Sequence, residues 1–109
     1  MAGVDPDSVT EMSFELADGA DGTVTVRIGG ELDITNVDEL GSAVQRALAE
    51  GPERVIVDAR ELRFADSSAI ALWVQWAAAV PDLELQGASP FLRRVIESMG
   101  LTDTLGLKP

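Results

Sequence analysis

"RVIVDARELRFADSSAIALWVQWAAA", residues 54–79, sets two periodicities side by side. "RVIVDA" is a β-branched run whose apolar residues are consecutive, which predicts a short central strand. Further on, Ile70, Trp73, Val74 and Ala77 recur at the spacing of one helix face. Asp66 or Ser67 suits the cap that opens such a helix, and Pro81 stops it. A strand followed by a helix of this length is half of a crossover unit. The architecture follows once its neighbours are read.

Upstream, "SFELAD" (13–18) alternates, with Phe14 and Leu16 on one side. "DGADG" (18–22) is a turn. "TVTVRI" (23–28) alternates again, Val24, Val26 and Ile28 on one face and Thr23, Thr25 and Arg27 on the other, so the pair predicts a hairpin with one buried face. Gly29-Gly30 punctuates the second strand. In "TNVDELGSAVQRALAEGP" (35–52), Val37, Leu40, Val44, Ala47 and Leu48 fall at helical spacing. Asn36 and Glu39 have the spacing of a capping box, and Gly51-Pro52 ends the helix. Downstream, "LELQG" (83–87) alternates with Leu83 and Leu85 inward. "SPFLRRVIESMG" (89–100) carries Ser89 as cap, Pro90 at the first helical position, a stripe of Leu92, Val95, Ile96 and Met99, and Gly100 as the stop.

The order is β-β-α-β-α-β-α. Strands joined through helices are parallel by right-handed crossover, and the first strand pairs antiparallel. The fold class is therefore α/β, one small domain with a mixed sheet and helices mainly on one face. Residues 1–11 are polar and predict a flexible N-terminal segment, with the domain over 12–109.

Composition narrows the function. The chain of 109 residues has a net charge of −11. Without a basic stripe this disfavours nucleic acid and anionic membranes, and it favours a partner with a positive surface. With no Cys and no His, thiol catalysis, Ser-His-Asp arrangements and the commonest zinc ligand are excluded. No apolar run is long enough to span a bilayer and the start lacks a secretory pattern, which predicts a cytoplasmic protein.

Two features could carry chemistry. Asp33, Asp58, Asp66 and Glu31 fall at expected strand ends or helix starts, where clustered carboxylates can hold magnesium and receive a phosphoryl group. Lys108 is the sole lysine to manage that charge, and capping explains the acids more simply. The second feature is Asp66-Ser67-Ser68. A helix start presents free N–H groups and positive potential, so a phosphate there is tolerated by the fold. It adds about −1.5 to −2 charges. Trp73 and Trp76 are either both core, or Trp76 lies partly exposed near the serines as an interface anchor.

"VTVRIGGELDITN" (24–36), "RVIVDARELRFADSSAIALW" (54–73) and "GASPFLRRVIESMGL" (87–101) together resemble, in this order, the STAS domains of bacterial anti-sigma-factor antagonists. The resemblance spans about residues 12 to 105. It implies a binding switch and not an enzyme, with no cofactor and no metal. The implied partners are an anti-sigma factor that is also a serine kinase, and a metal-dependent serine phosphatase that acts on the phosphorylated form. Binding frees the sigma factor for transcription, and phosphorylation dissolves the complex. The implied phosphoacceptor is Ser67. The implied partner-binding residues are Glu31, Leu32, Asp33, Asp66, Ser68 and Ala69, with Trp76 as a candidate rim residue. Ala69 stands where the family usually has Gly, a place where a kinase could approach closely. A second role for the same fold is a STAS scaffold subunit of a stress-sensing or lipid-transport complex.

Overall fold

Alternation dictates which side of the sheet is covered. The structure is a computed structural model and describes residues 11–109. Its elements are β1 (Met12–Asp18), β2 (Thr23–Leu32), α1 (Val37–Leu48), β3 (Arg54–Ala65), α2 (Ser67–Ala79), β4 (Asp82–Gln86) and α3 (Pro90–Ser98). The expected flexible segment lies outside the described residues except for Glu11, whose carbonyl accepts from the Glu31 N–H at 2.8 Å. The sheet order follows the chain, β1-β2-β3-β4. β1 pairs antiparallel with β2, which pairs parallel with β3, which pairs parallel with β4.

Val24, Val26 and Ile28 of β2, Val55, Val57 and Ala59 of β3, and Leu83 and Leu85 of β4 share one core with all three helices. The helices contribute Val37, Leu40 and Val44, then Ala69, Ile70, Trp73 and Trp76, then Leu92 and Ile96. The opposite face of the sheet carries polar side chains joined by ion pairs. Arg27 lies between Glu15 at 3.4 Å and Asp58 at 3.6 Å, and Arg54 bonds Asp82 at 2.8 Å. One face is therefore apolar and helix-covered, and the other is a charged ladder.

The strands run longer than their periodicity predicts. β2 passes through Gly29-Gly30 to Leu32, and β3 passes Ala59 to reach Ala65. The β2–β3 register shifts between Arg27 and Gly29 and again between Gly30 and Glu31. These irregularities break the alternation from which a strand is recognised. Gly30 has φ +84°, and a Cβ there would run into the Glu11 carbonyl oxygen. The glycine pair thus bends the strand without ending it.

Two helix starts are built as the residues imply and one is not. The Ser89 hydroxyl accepts from the Leu92 N–H at 3.2 Å, with Pro90 opening the helix. At the other end of α3 the Gly100 N–H reaches the Glu97 carbonyl and the Leu101 N–H the Ile96 carbonyl, both at 3.1 Å, with Gly100 at φ +72°. Met99 does not join the buried stripe and is half exposed. The Asn36–Glu39 capping box is absent, since the Asn36 side chain makes no cap bond to α1. It points back into the preceding loop. The tail then folds over the end of β4. Leu105 is buried, and Leu107 forms a parallel bridge with Leu85.

Candidate functional site

The loop between β2 and α1 and the start of α2 meet at the carboxyl ends of the parallel strands. Asp66 joins them. Its Oδ1 accepts from the Ser68 N–H at 2.9 Å, which caps α2. Its Oδ2 accepts from the Ile34 N–H at 3.2 Å, across 32 residues of sequence. Its own N–H donates to the Leu32 carbonyl at 3.2 Å. Asp66 is therefore the cap, and Ser67 is left as the first helical residue with its side chain free of that duty. Ser67 is exposed and Ser68 half-buried.

The loop is held from within. Asp33 Oδ1 accepts from the Thr35 N–H at 2.9 Å and from its hydroxyl at 2.5 Å. The Asn36 side chain accepts from the Asp33 N–H at 3.0 Å and donates to the Glu31 carbonyl at 2.9 Å. A closed ring of short bonds thus fixes residues 31–36. The Glu31 carboxylate pairs with Arg63 at 2.8 Å. The loop's apolar side chain, Ile34, stands 70% exposed.

Of the residues expected to bind a partner, Glu31, Asp33, Asp66 and Ser68 gather with Ser67 at this edge and are partly accessible. The other three have buried side chains. Leu32 and Ala69 are fully buried, and Trp76 is 3% exposed. Leu32 is the last residue of β2 and belongs to the core side. The Ala69 methyl joins the core cluster. Trp76 packs in the same cluster as Trp73, which answers the question of the two tryptophans in favour of core.

Sequence reasoning missed Ile34 and Phe64. Ile34 lies outside any period, between the buried Leu32 and Val37, and that mismatch was the available signal. Phe64 falls in the half of β3 beyond its irregular register and is 50% exposed.

Of the acids that might have formed a magnesium site, Asp58 stands apart from the other three. Because β3 continues to Ala65, Asp58 sits inside the strand on the charged face and not at its end. Among the described residues no group of three or more acidic side chains could hold a metal ion. Asp58 is instead chelated by its own strand. Oδ1 accepts from the Arg60 N–H at 3.1 Å and from Nε at 3.0 Å, and Oδ2 from Nη2 at 2.8 Å. The Arg60 hydrogen bonds hold the carboxyl below its usual range, with burial opposing and Arg27 assisting. Asp58→Asn is expected to cost about 1–3 kcal/mol at neutral pH, since it weakens charge-assisted bonds at a buried site. A depressed folded value means that the carboxylate stabilises fully above the unfolded value of about 3.9. That contribution is lost as pH falls through the folded value. Denaturant titrations at pH 7 and pH 2.5 check this: the gap between the two proteins should be wide at pH 7 and narrow in acid.

Among the described residues no helix is long and apolar enough to cross a membrane. A small mixed-sheet domain with an exposed serine at the start of its second helix, capped by an aspartate tied to the β2–α1 loop, defines a class. The family model described as "Mlab, STAS domain" matches residues 16–108, and the chain belongs to the STAS-domain family. It is similar to the anti-sigma-B factor antagonist of Staphylococcus aureus, 29% identical over 84 residues covering 73% of this chain and 78% of that protein. Among solved structures it superposes on an anti-sigma factor antagonist from Mycobacterium paratuberculosis with a TM-score of 0.83 at 23% identity, covering 96% and 89% of the two chains. That likeness is one of fold. The antagonist SpoIIAA in its unphosphorylated form gives a TM-score of 0.76 at 25% identity, covering 89% of each chain. The Bacillus SpoIIAA in its phosphorylated form gives 0.66 at 27%, covering 89% of this chain and 92% of that one.

Proposed function

We propose that this chain is an anti-sigma-factor antagonist whose partner is an anti-sigma factor with serine kinase activity, and that Ser67 is the phosphoacceptor. The observation that carries the reading is the separation of duties at the start of α2. Asp66 caps the helix, which leaves the exposed Ser67 hydroxyl unneeded by the fold. A phosphate there meets the positive end of a helix that has no acidic residue of its own in the first turn. It would place charge on the docking face while sparing the core. The relatives named antagonists support this reading, as does the phosphorylated SpoIIAA, whose fold resembles this one. In this scheme the chain performs no catalysis, carries no cofactor or metal, and works in the cytoplasm away from nucleic acid and membrane. A metal-dependent serine phosphatase acting on phospho-Ser67 restores it.

The test is direct. Co-purification from cells of origin with mass spectrometry identifies the kinase, which is then purified and incubated with this chain and ATP. Phosphate mapped to Ser67 is the expected outcome. Phosphate on Ser68 alone, or none from a kinase active on itself or another substrate, overturns the assignment. Recovery of transporter or stress-complex subunits in place of a kinase would favour the scaffold role.

A further inference from the structure

We propose that Ile34 is an apolar anchor for the anti-sigma kinase, and that Asp66 is the positioning residue that presents it beside Ser67. The inference rests on the function proposed above and adds two roles to it. Ile34 is the most exposed of the large hydrophobic side chains among the described residues, at 70%. It does not sit on a loose loop. The ring of bonds from Asp33, Thr35 and Asn36 closes on either side of it, and its own N–H is held by Asp66 Oδ2 at 3.2 Å. An exposed, pre-ordered aliphatic side chain loses little freedom on binding, which is what an anchor requires.

The occupant follows from position. The carboxylate that holds Ile34 belongs to the residue next to Ser67. A protein that brings a nucleotide to the Ser67 hydroxyl covers on the order of 800 Å² around it, and Ile34 falls within that footprint. The phosphatase is not the occupant proposed.

Asp66 then has two separable functions, one per oxygen. In Asp66→Asn the remaining carbonyl oxygen can still accept from the Ser68 N–H, so α2 keeps its cap. The amide nitrogen in the other position cannot accept from the Ile34 N–H. In that orientation the helix is spared and the anchor is released, and a near-native melting temperature identifies it.

The experiment is a double-mutant cycle in binding to the purified kinase, with melting temperatures measured alongside. Ile34→Ala is expected to weaken binding by about tenfold or more, as interface anchors do, and Ile34→Leu to restore most of it. Asp66→Asn should weaken binding several-fold with a near-native melting temperature. If Asp66 acts through Ile34, adding Asp66→Asn to Ile34→Ala should cost less than about twofold more. In phosphorylation assays both single variants should raise KM and leave kcat near its wild-type value. Unchanged binding by Ile34→Ala overturns the anchor. Full additivity in the cycle overturns the positioning role. A wild-type chain that neither binds the kinase nor accepts phosphate at Ser67 overturns the underlying function, a result distinct from both.

Discussion

Trp76→Ala is expected to destabilise the domain by about 3–5 kcal/mol, the range for removing a large aromatic side chain from a packed core. Trp76 is 3% exposed and lies in one cluster with Ala69, Ile70 and Trp73. It lies on the side of α2 that faces α1, near Val37, Gly41 and Leu72. Gly41 of α1 sets the helix spacing: a Cβ on it would lie 3.2 Å from Leu72 Cδ1. At roughly 4–8 °C per kcal/mol for a domain of this size, the melting temperature should fall by well over 10 °C. Urea unfolding followed by circular dichroism measures it. Trp76→Phe should recover a large part of the loss. Near-native stability combined with lost partner binding would instead make the side chain a surface anchor.

The fate of the two tryptophans shows what periodicity can and cannot decide. α2 has no charged residue along its 13 positions. A helix that is apolar all round gives no direction to its faces, so Trp76 could be placed only by knowing that α1 packs beside it. The same uniformity hid the orientation of Ala69, whose methyl group faces the core. Where polarity alternates, as in 23–28, inward and outward residues were legible one by one. The ends of β2 and β3 were not, because irregular register interrupts the alternation there. That difference also moved Asp58 from an expected strand end into a charged sheet face.

At the site, Ser67, Asp66 and the loop at 31–33 were legible as a helix start and a family motif. The bond from Ile34 to Asp66 was not. It joins residues 32 apart through a backbone N–H, which any residue type possesses, so nothing in the one-dimensional pattern marks it. Asn36 misled for a related reason. Its side chain can serve either the helix ahead or the loop behind, and the loop wins because Asp33 N–H and the Glu31 carbonyl both lie within reach.

Ser67→Asp is expected to weaken kinase binding by more than about tenfold, or ~1.4 kcal/mol, while leaving the fold almost untouched. Two electrostatic effects compete in the free protein. The start of α2 offers positive potential to a new carboxylate, worth about 0.3–1 kcal/mol at an exposed position. Asp66 next to it opposes with like charge. Ser67 is exposed, so solvent screens both, and the sum lies within about 1 kcal/mol of zero. In the complex the balance changes. Under the proposed function the partner would expel water from the same spot and the screening with it, so a carboxylate that cost little in solution would be desolvated beside Asp66. A phosphate carries more charge than aspartate, so phosphorylation should weaken binding further than the substitution does. Ser67→Ala separates charge from shape. It should bind about as well as the wild type and keep its melting temperature, because Asp66 and not Ser67 supplies the cap. Calorimetric titration of the three proteins against the kinase, with a thermal melt of each, checks the argument. A large fall in melting temperature for Ser67→Asp would mean that the hydroxyl serves the fold. Equal affinity of Ser67→Asp and wild type would mean that the kinase docks away from the start of α2.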